Sequence, residues 1–282
     1  MPAATRQETT TGLIAFGSNQ GNSMQVFQAS IEALQKTAHI SVSSHSQPIW
    51  TEPVTGIADS PGSPPATPTQ TDKNPYLNAV IRIDTRLSPS ELHLQTAAIE
   101  YQLGRVRSGR WQARVIDLDL LLLGDHIVDT ESLTLPHPRM SFRRFVLEPA
   151  AEIAAELTHP LAKCSIEALL ERINAPNKIM ALVCPTMENQ TPLLDQLALN
   201  LSKIDPQWRF EKVFSKEKFL ELDSNLTVVA VFDFPQDGNE TQWRDLKACS
   251  LGFAGPRLHL KTPPQDVYSL TELSAVLQAI SR

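Results

Sequence analysis

The chain has 282 residues, 41% of them hydrophobic and 20% charged, and its 25 Lys+Arg against 31 Asp+Glu leave a net charge of −6. This length allows one large domain or two smaller ones, and the composition excludes disorder over the whole chain. The acidic balance excludes a diffuse nucleic-acid surface. The 3 Cys, at 164, 184 and 249, are too few and too far apart for a disulfide scaffold or a Cys-based zinc cluster; they fit a reducing, cytoplasmic setting. No apolar run is long enough to span a bilayer and residues 1–12 lack a signal-peptide core, so no membrane partner is expected.

In chain order, residues 1–11 read as a disordered N-terminus, and Leu13-Ile-Ala-Phe16 reads as a first strand ending in the turn Gly17-Ser-Asn19. Asn22 or Ser23 caps a helix with apolar residues Val26, Phe27, Ile31 and Leu34 at helical spacing. Residues 40–49 form a second strand. Between Pro53 and Pro75 lie six of the 21 prolines, spaced by Gly, Ser and Thr, which predicts a long loop that could serve as a lid. Residues 76–85 predict a strand, Ser88-Pro-Ser-Glu91 a helix start, and 115–123 a further strand, with a short strand or turn near 126–129. Strand–helix–strand twice over is the pattern of a ferredoxin-like antiparallel sheet with helices, an α+β fold. A closing helix at 165–173 leads to the turn-rich Asn174-Ala-Pro-Asn177, where a boundary separates a domain of 12–174 from one of 175–282. The second part, with strands at 178–184, 226–234 and 258–260 and helices at 192–204 and 269–280, reads as a smaller α/β layered domain.

The positive charge is local. Arg105, Arg107, Arg110 and Arg114 fall within ten residues, and Arg139, Arg143 and Arg144 follow; neither stretch contains Lys. Arginine forks suit phosphate oxygens, although such a cluster is also what a solvated basic face looks like. In Ile116-Asp117-Leu118-Asp119-Leu120 the strand period puts Asp117 and Asp119 on one face, about 7 Å apart. An edge strand with its polar face in water would read the same way. Beside the arginines, however, two carboxylates suit divalent cations bridged to phosphate, the make-up of a nucleotide–magnesium site.

These residues, taken together, resemble a known family. The signature comprises Gly17-Ser-Asn19, Thr51-Glu-Pro53, Tyr76-Leu-Asn78-Ala79, Glu100, Gly104-Arg-Val-Arg107, Arg110-Trp111, Arg114, Asp117-Leu-Asp119, Pro136-His-Pro-Arg-Met140 and Arg143-Arg-Phe145. Over residues 12–173 it resembles the 6-hydroxymethyl-7,8-dihydropterin pyrophosphokinases of folate biosynthesis. The resemblance implies transfer of pyrophosphate from ATP to the pterin hydroxymethyl group with release of AMP. It implies that Asp117 and Asp119 hold two Mg²⁺ ions and that Arg105 and Arg114 act on the triphosphate. Glu100, Arg107, Arg110, Trp111, His137 and Arg143 would line the ATP site, and Thr51, Pro53, Val54, Tyr76, Asn78 and Phe145 the pterin pocket. A flat heteroaromatic ring calls for an aromatic face and an amide that both donates and accepts, which fits the second set.

Three departures from the family pattern bear on lid behaviour: a short Arg107–Trp111 loop, a longer and proline-rich 56–74 loop, and Ile49 where an aromatic is common, with Trp50 beside it. Residues 178–282 lie outside the resemblance. Residues 180–191 loosely resemble a strand–P-loop–helix but lack the glycines and lysine that hold phosphate, so no nucleotide site is expected there. The segment reads as a structural or dimerising appendage, with a homodimer through it as one expected assembly. The competing reading of the whole chain is a catalytically lapsed nucleotide- or phosphate-binding regulator that keeps the fold.

Overall fold

The computed structural model describes residues 9–53, 74–105, 114–184, 191–222, 225–233, 240–251, 253–260 and 267–281. Strand β1 (Thr10–Ser18) leads into helix α1 (Ser23–Lys36), where the Asn22 side chain accepts from Gln25 N–H at 3.1 Å and so caps the first turn. The predicted second strand is two pieces, β2 (Ile40–His45) and β3 (Ile49–Thr51). They are split where Ser46 turns inward and its hydroxyl accepts from Val80 N–H. Strand β4 (Tyr76–Thr85) has the predicted bounds, and α2 (Pro89–Gln102) opens on a full capping box between Ser88 and Glu91. Strand β5 (Asp117–Leu123) completes a sheet ordered β2-β4-β1-β5, with β3 also on β4 and every pairing antiparallel.

A hairpin of β6 (Val128–Asp129) and β7 (Thr134–Leu135) is followed by a 3-10 turn at Met140–Phe142 and helix α3 (Arg144–Ala154). Helix α3 is absent from the sequence expectations. Pro149 sits inside it, where the missing N–H argues against a helix, yet Val146, Leu147 and Ala150 are buried deeply enough to hold it. A small pair, β8 (Thr158–His159) and β9 (Cys164–Ser165), leads to α4 (Ile166–Asn174), the expected closing helix, with Ser165 as its cap.

The remainder is β10 (Lys178–Val183), α5 (Thr191–Ile204), β11 (Trp208–Val213), α6 (Lys216–Leu222), β12 (Val228–Phe232), α7 (Glu240–Leu251), β13 (Arg257–Leu260) and α8 (Val267–Ser281). Its sheet, ordered β11-β10-β12-β13, is parallel throughout.

The layers explain the patterning. One face of the antiparallel sheet packs Ile14, Phe16, Ile81 and Leu118 under α1 and α2. The opposite face, with Leu13, Val80 and Leu121, packs on α3 and the 3-10 turn, and the same cluster continues through α4 into α5, α8 and the near face of the parallel sheet at Met180, Leu182 and Ala230. Ala181, Val183, Val229 and Val231 fill a third cluster with Phe219 and Leu246 on the far face. Apolar packing therefore joins the two sheets through a shared helical layer. Among the described residues, no helix is long and apolar enough to cross a membrane.

Candidate active site

Cross-strand partners point to the same side of a sheet, so register decides which groups meet. Gly17 on β1 is paired with Asn78 on β4 and with Asp117 on β5, and Ile49 on β3 is paired with Asn78. These residues form a row across four strands, on the face that packs against α3. One step inward the row is Val80, Ala15 and Asp119, and beyond it lie Leu13 and Leu121 in the core. The face thus changes from apolar to polar at one end, and every sheet residue of the predicted site lies at that end. A Cβ at Gly17 would come within 3.8 Å of the Asp117 Cβ and 3.9 Å of the Asn78 Oδ1. The glycine leaves open the space between carboxylate and amide.

Arginines surround the carboxylates. Arg114 Nη1 and Asp117 Oδ2 form a close ion pair, and Arg105 Nη1 lies 2.8 Å from Asp117 Oδ1 while also pairing closely with Glu100 Oε1. Asp117 Oδ1 is buried and accepts no aligned hydrogen bond. Burial pushes the Asp117 carboxyl above the usual carboxylate range, Asp119 adds to this, and Arg114 and Arg105 oppose it. Glu100 reaches in from α2, 5% exposed, and its Oε1 accepts from Leu118 N–H at 2.7 Å; burial raises its carboxyl to about 7. Glu100 therefore ties α2 to β5 and seats Arg105. The turn residue Asn19 does the same for Arg114: its Oδ1 accepts from Arg114 N–H at 2.7 Å, and its own N–H donates to Arg114 O at 3.0 Å.

The segment after β7 supplies the opposite wall. His137 N–H donates to Leu121 O at 2.9 Å, which fixes the segment to β5. His137 Nδ1 accepts from Arg139 N–H at 3.2 Å, so its proton resides on Nε2, 3.7 Å from Asp119 Oδ2. Burial, with Arg143 and Arg139 nearby, lowers the imidazole to about 3, so it is neutral at physiological pH. Arg143 is half-buried, and desolvation with Arg139 nearby lowers it only to about 10, so it remains a cation facing Asp119 and Asp117; it also lies over the Phe145 ring at 5.5 Å.

At the other end of the row Asn78, 7% exposed, donates from Nδ2 to Thr51 Oγ1 at 2.8 Å and, less closely, to Tyr76 O at 3.4 Å. Thr51 pairs with Tyr76 in the sheet and Pro53 is buried after it. Trp50 is 59% exposed on the opposite side of β3. Ile49 therefore occupies the position next to Asn78, and Trp50 does not take over the aromatic's place. Val54, Arg107, Arg110 and Trp111 lie outside the described residues, as does most of the proline-rich loop. Sequence reasoning gave no role to Asn19, although it stands in the Gly-Ser-Asn turn, and counted Arg139 only among the arginines suited to phosphate, whereas its guanidinium pairs with Glu272.

Among the described residues no group of three or more His, Cys, Asp or Glu side chains converges on one point. Asp117 and Asp119 share one face of β5 and interact electrostatically, and Asp117 Oδ1 is buried, with Arg105 Nη1 at 2.8 Å but no aligned hydrogen bond. Mg²⁺ is commonly held by one or two carboxylates, with waters and substrate phosphates supplying its other ligands, so the residues present fit that ion.

Fold and site together define a mixed α/β protein in which carboxylates and arginines gather at one end of an antiparallel sheet, beside the Asn78 amide. Residues 13–155 match the family model described as 7,8-dihydro-6-hydroxymethylpterin-pyrophosphokinase, and the chain belongs to that family. It is 36% identical over 150 residues to the 2-amino-4-hydroxy-6-hydroxymethyldihydropteridine pyrophosphokinase of Haemophilus influenzae, covering 53% of this chain and 85% of that protein. The Pseudomonas aeruginosa protein of the same name is 34% identical over 167 residues, covering 55% and 93%. The Bacillus subtilis one is 38% identical over 144 residues, covering 51% and 78%. The family match ends before the parallel sheet begins.

Proposed function

We propose that this protein is an ATP-dependent pyrophosphotransferase of folate biosynthesis that acts on 6-hydroxymethyl-7,8-dihydropterin and releases AMP. In the reaction the pterin hydroxymethyl oxygen bonds to the β-phosphorus of ATP, the bond from that phosphorus to the α–β bridging oxygen breaks, and the hydroxyl proton is released. The observation that carries the reading is the row across β3, β4, β1 and β5, which sets the Asn78 amide near the Asp117 carboxylate and its arginines in a chain of this family. Such a transfer depends on positioning and charge neutralisation more than on covalent help.

Arg105, Arg114 and Arg143 are the cations for the triphosphate, and the fixed tautomer gives His137 an Nε2–H donor toward it. Arg107, Arg110 and Trp111 belong to the same proposal through the family motif alone. Asn78 and Thr51, with Tyr76, Pro53, Val54 and Phe145, are the pterin side. Asp117 and Asp119 would hold two Mg²⁺ ions, which when bound neutralise phosphate charge and bring the hydroxyl oxygen into line.

The same reading takes residues 12–174 as a ferredoxin-like pyrophosphokinase domain, supported by the antiparallel order β2-β4-β1-β5, and 175–282 as an α/β layered domain, supported by its parallel sheet between helices. Of the expected disordered N-terminus, Thr10 and Thr11 are instead the first residues of β1, and residues 1–8 lie outside the described residues. Cytoplasmic residence is supported by three free cysteines, and a homodimer through 175–282 by the exposed Leu199 and Ile204 on α5; mass in solution tests the latter. The test of the activity is AMP formation from ATP that requires both the pterin and Mg²⁺. AMP at background level with everything present would reject it in favour of the lapsed regulator.

A further inference from the structure

The parallel sheet lies outside the family match, yet one of its helices reaches the wall of the candidate active site. Glu272 on α8 is 4% exposed, and both of its carboxylate oxygens accept from Arg139 Nη2, at 2.8 and 2.7 Å. Arg139 follows His137 by two residues, and its backbone N–H is the donor that fixes the His137 tautomer. The same helix holds the next stretch of chain: Arg144 Nε donates to Ile280 O at 2.7 Å, and Leu273, Val276 and Leu277 pack in one cluster with Met140, Phe142 and Val146. The segment 137–144 thus has β5 on one side and α8 on the other. Charge follows the same geometry. Arg139 and Arg143 repel one another across the wall, and Glu272 is a negative group that opposes this repulsion from the α8 side.

We infer that Glu272 is a positioning residue for the ATP-binding wall, acting through Arg139 to hold His137 and Arg143 in place. The inference rests on the pyrophosphokinase reading. It gives the C-terminal part a role in the reaction of a site whose family match ends at residue 155. A buried carboxylate locks the guanidinium by charge-assisted hydrogen bonds, the backbone of Arg139 then has one position, and His137 inherits its orientation. Supporting groups of this kind are commonly worth ten- to a hundredfold in binding or rate.

The experiment uses the full-length chain and compares the wild type with Glu272→Gln, Arg139→Met and the double variant, with Leu182→Ala in β10 as a control for destabilisation of the C-terminal part. Each is assayed for AMP formation with separate ATP and pterin titrations. Binding of a non-hydrolysable ATP analogue with Mg²⁺ is measured by calorimetry, and folding by thermal melting. Glu272→Gln keeps the shape and one acceptor, so it folds. It is expected to raise KM for ATP and weaken analogue binding by about tenfold, with KM for the pterin unchanged. In the Arg139→Met background the same substitution adds nothing. Leu182→Ala lowers the melting temperature without moving either KM, which is what a purely structural role of the C-terminal part looks like. An active wild type with Glu272→Gln within twofold of it in analogue binding and KM for ATP would overturn the inference, as would an undiminished effect in the double variant. A wild type that makes no AMP would instead reject the reading on which it rests, while loss of analogue binding in Glu272→Gln would still support the positioning role.

Discussion

The two sheets of this protein bury their strands to opposite ends. In the parallel sheet β12 is Val-Val-Ala-Val-Phe with every residue buried, and β10 is buried from its second residue on. Its two faces feed two apolar clusters, as a parallel sheet covered by helices on both sides requires. In the antiparallel sheet β5 carries a shorter apolar run, Leu120 to Leu123, and opens on Asp117 and Asp119, and β4 places Asn78 among buried neighbours. Around these lie Glu100, His137 and Arg143, whose ionisation burial displaces. Burying charge costs several kcal/mol unless it is compensated, and groups perturbed in this way cluster at functional sites. The parallel sheet has the burial of a support, and the antiparallel sheet the burial of a site.

That contrast can be broken in four ways, in descending order of expected effect. Asp119→Ala should lower turnover by at least about a hundredfold while the melting temperature holds or rises, because the repulsion with Asp117 is relieved. Near-wild-type steady-state rates would refute the metal assignment. Leu182→Ala in β10 should do the converse, losing about 2–5 kcal/mol in denaturant unfolding while both KM values stay put. A shifted KM would show that the parallel sheet is more than a support.

Thr51→Val removes the acceptor of the Asn78 amide at a cost of about 0.5–1.5 kcal/mol, seen as a severalfold higher KM for the pterin with KM for ATP unchanged. An effect on ATP alone would place Thr51 on the wrong side of the row.

The smallest effect is on the pH dependence of stability. Glu100 is raised to about 7, so between its ordinary value of 4.5 and about 7 the folded state keeps a proton that the unfolded chain has released, and stability falls as pH rises through that window. His137, lowered from 6.5 to about 3, has the opposite sign: the unfolded chain takes up a proton first, so stability falls as pH drops from about 6.5 to about 3. Glu100→Gln should therefore flatten the loss above pH 4.5, and His137→Asn the loss on the acid side, in thermal melts at stepped pH. Slopes identical to the wild type would contradict the burial that separates this site from the rest.

Much of the site was legible in the sequence because its signals are local. The period of a strand put Asp117 and Asp119 on one face whatever surrounds them, Ser88 and Glu91 announced α2, and the family signature marked Arg105, Arg114, His137, Asn78 and Thr51. Helix α3 was not legible, since Pro149 argues against it locally and only packing from both sheets outweighs that. Residue types and their spacing determined which groups the candidate site can offer: carboxylates, arginines and an amide, the set proposed above for a polyphosphate and a ring. The tertiary structure decided what no local pattern encodes. Strand register set Asn78, Gly17 and Asp117 side by side from positions far apart in the chain, and helix packing brought Glu272 to Arg139 across 133 residues. Such contacts depend on how layers stack, and no property of Glu272 among its sequence neighbours on α8 distinguishes it from a carboxylate in water.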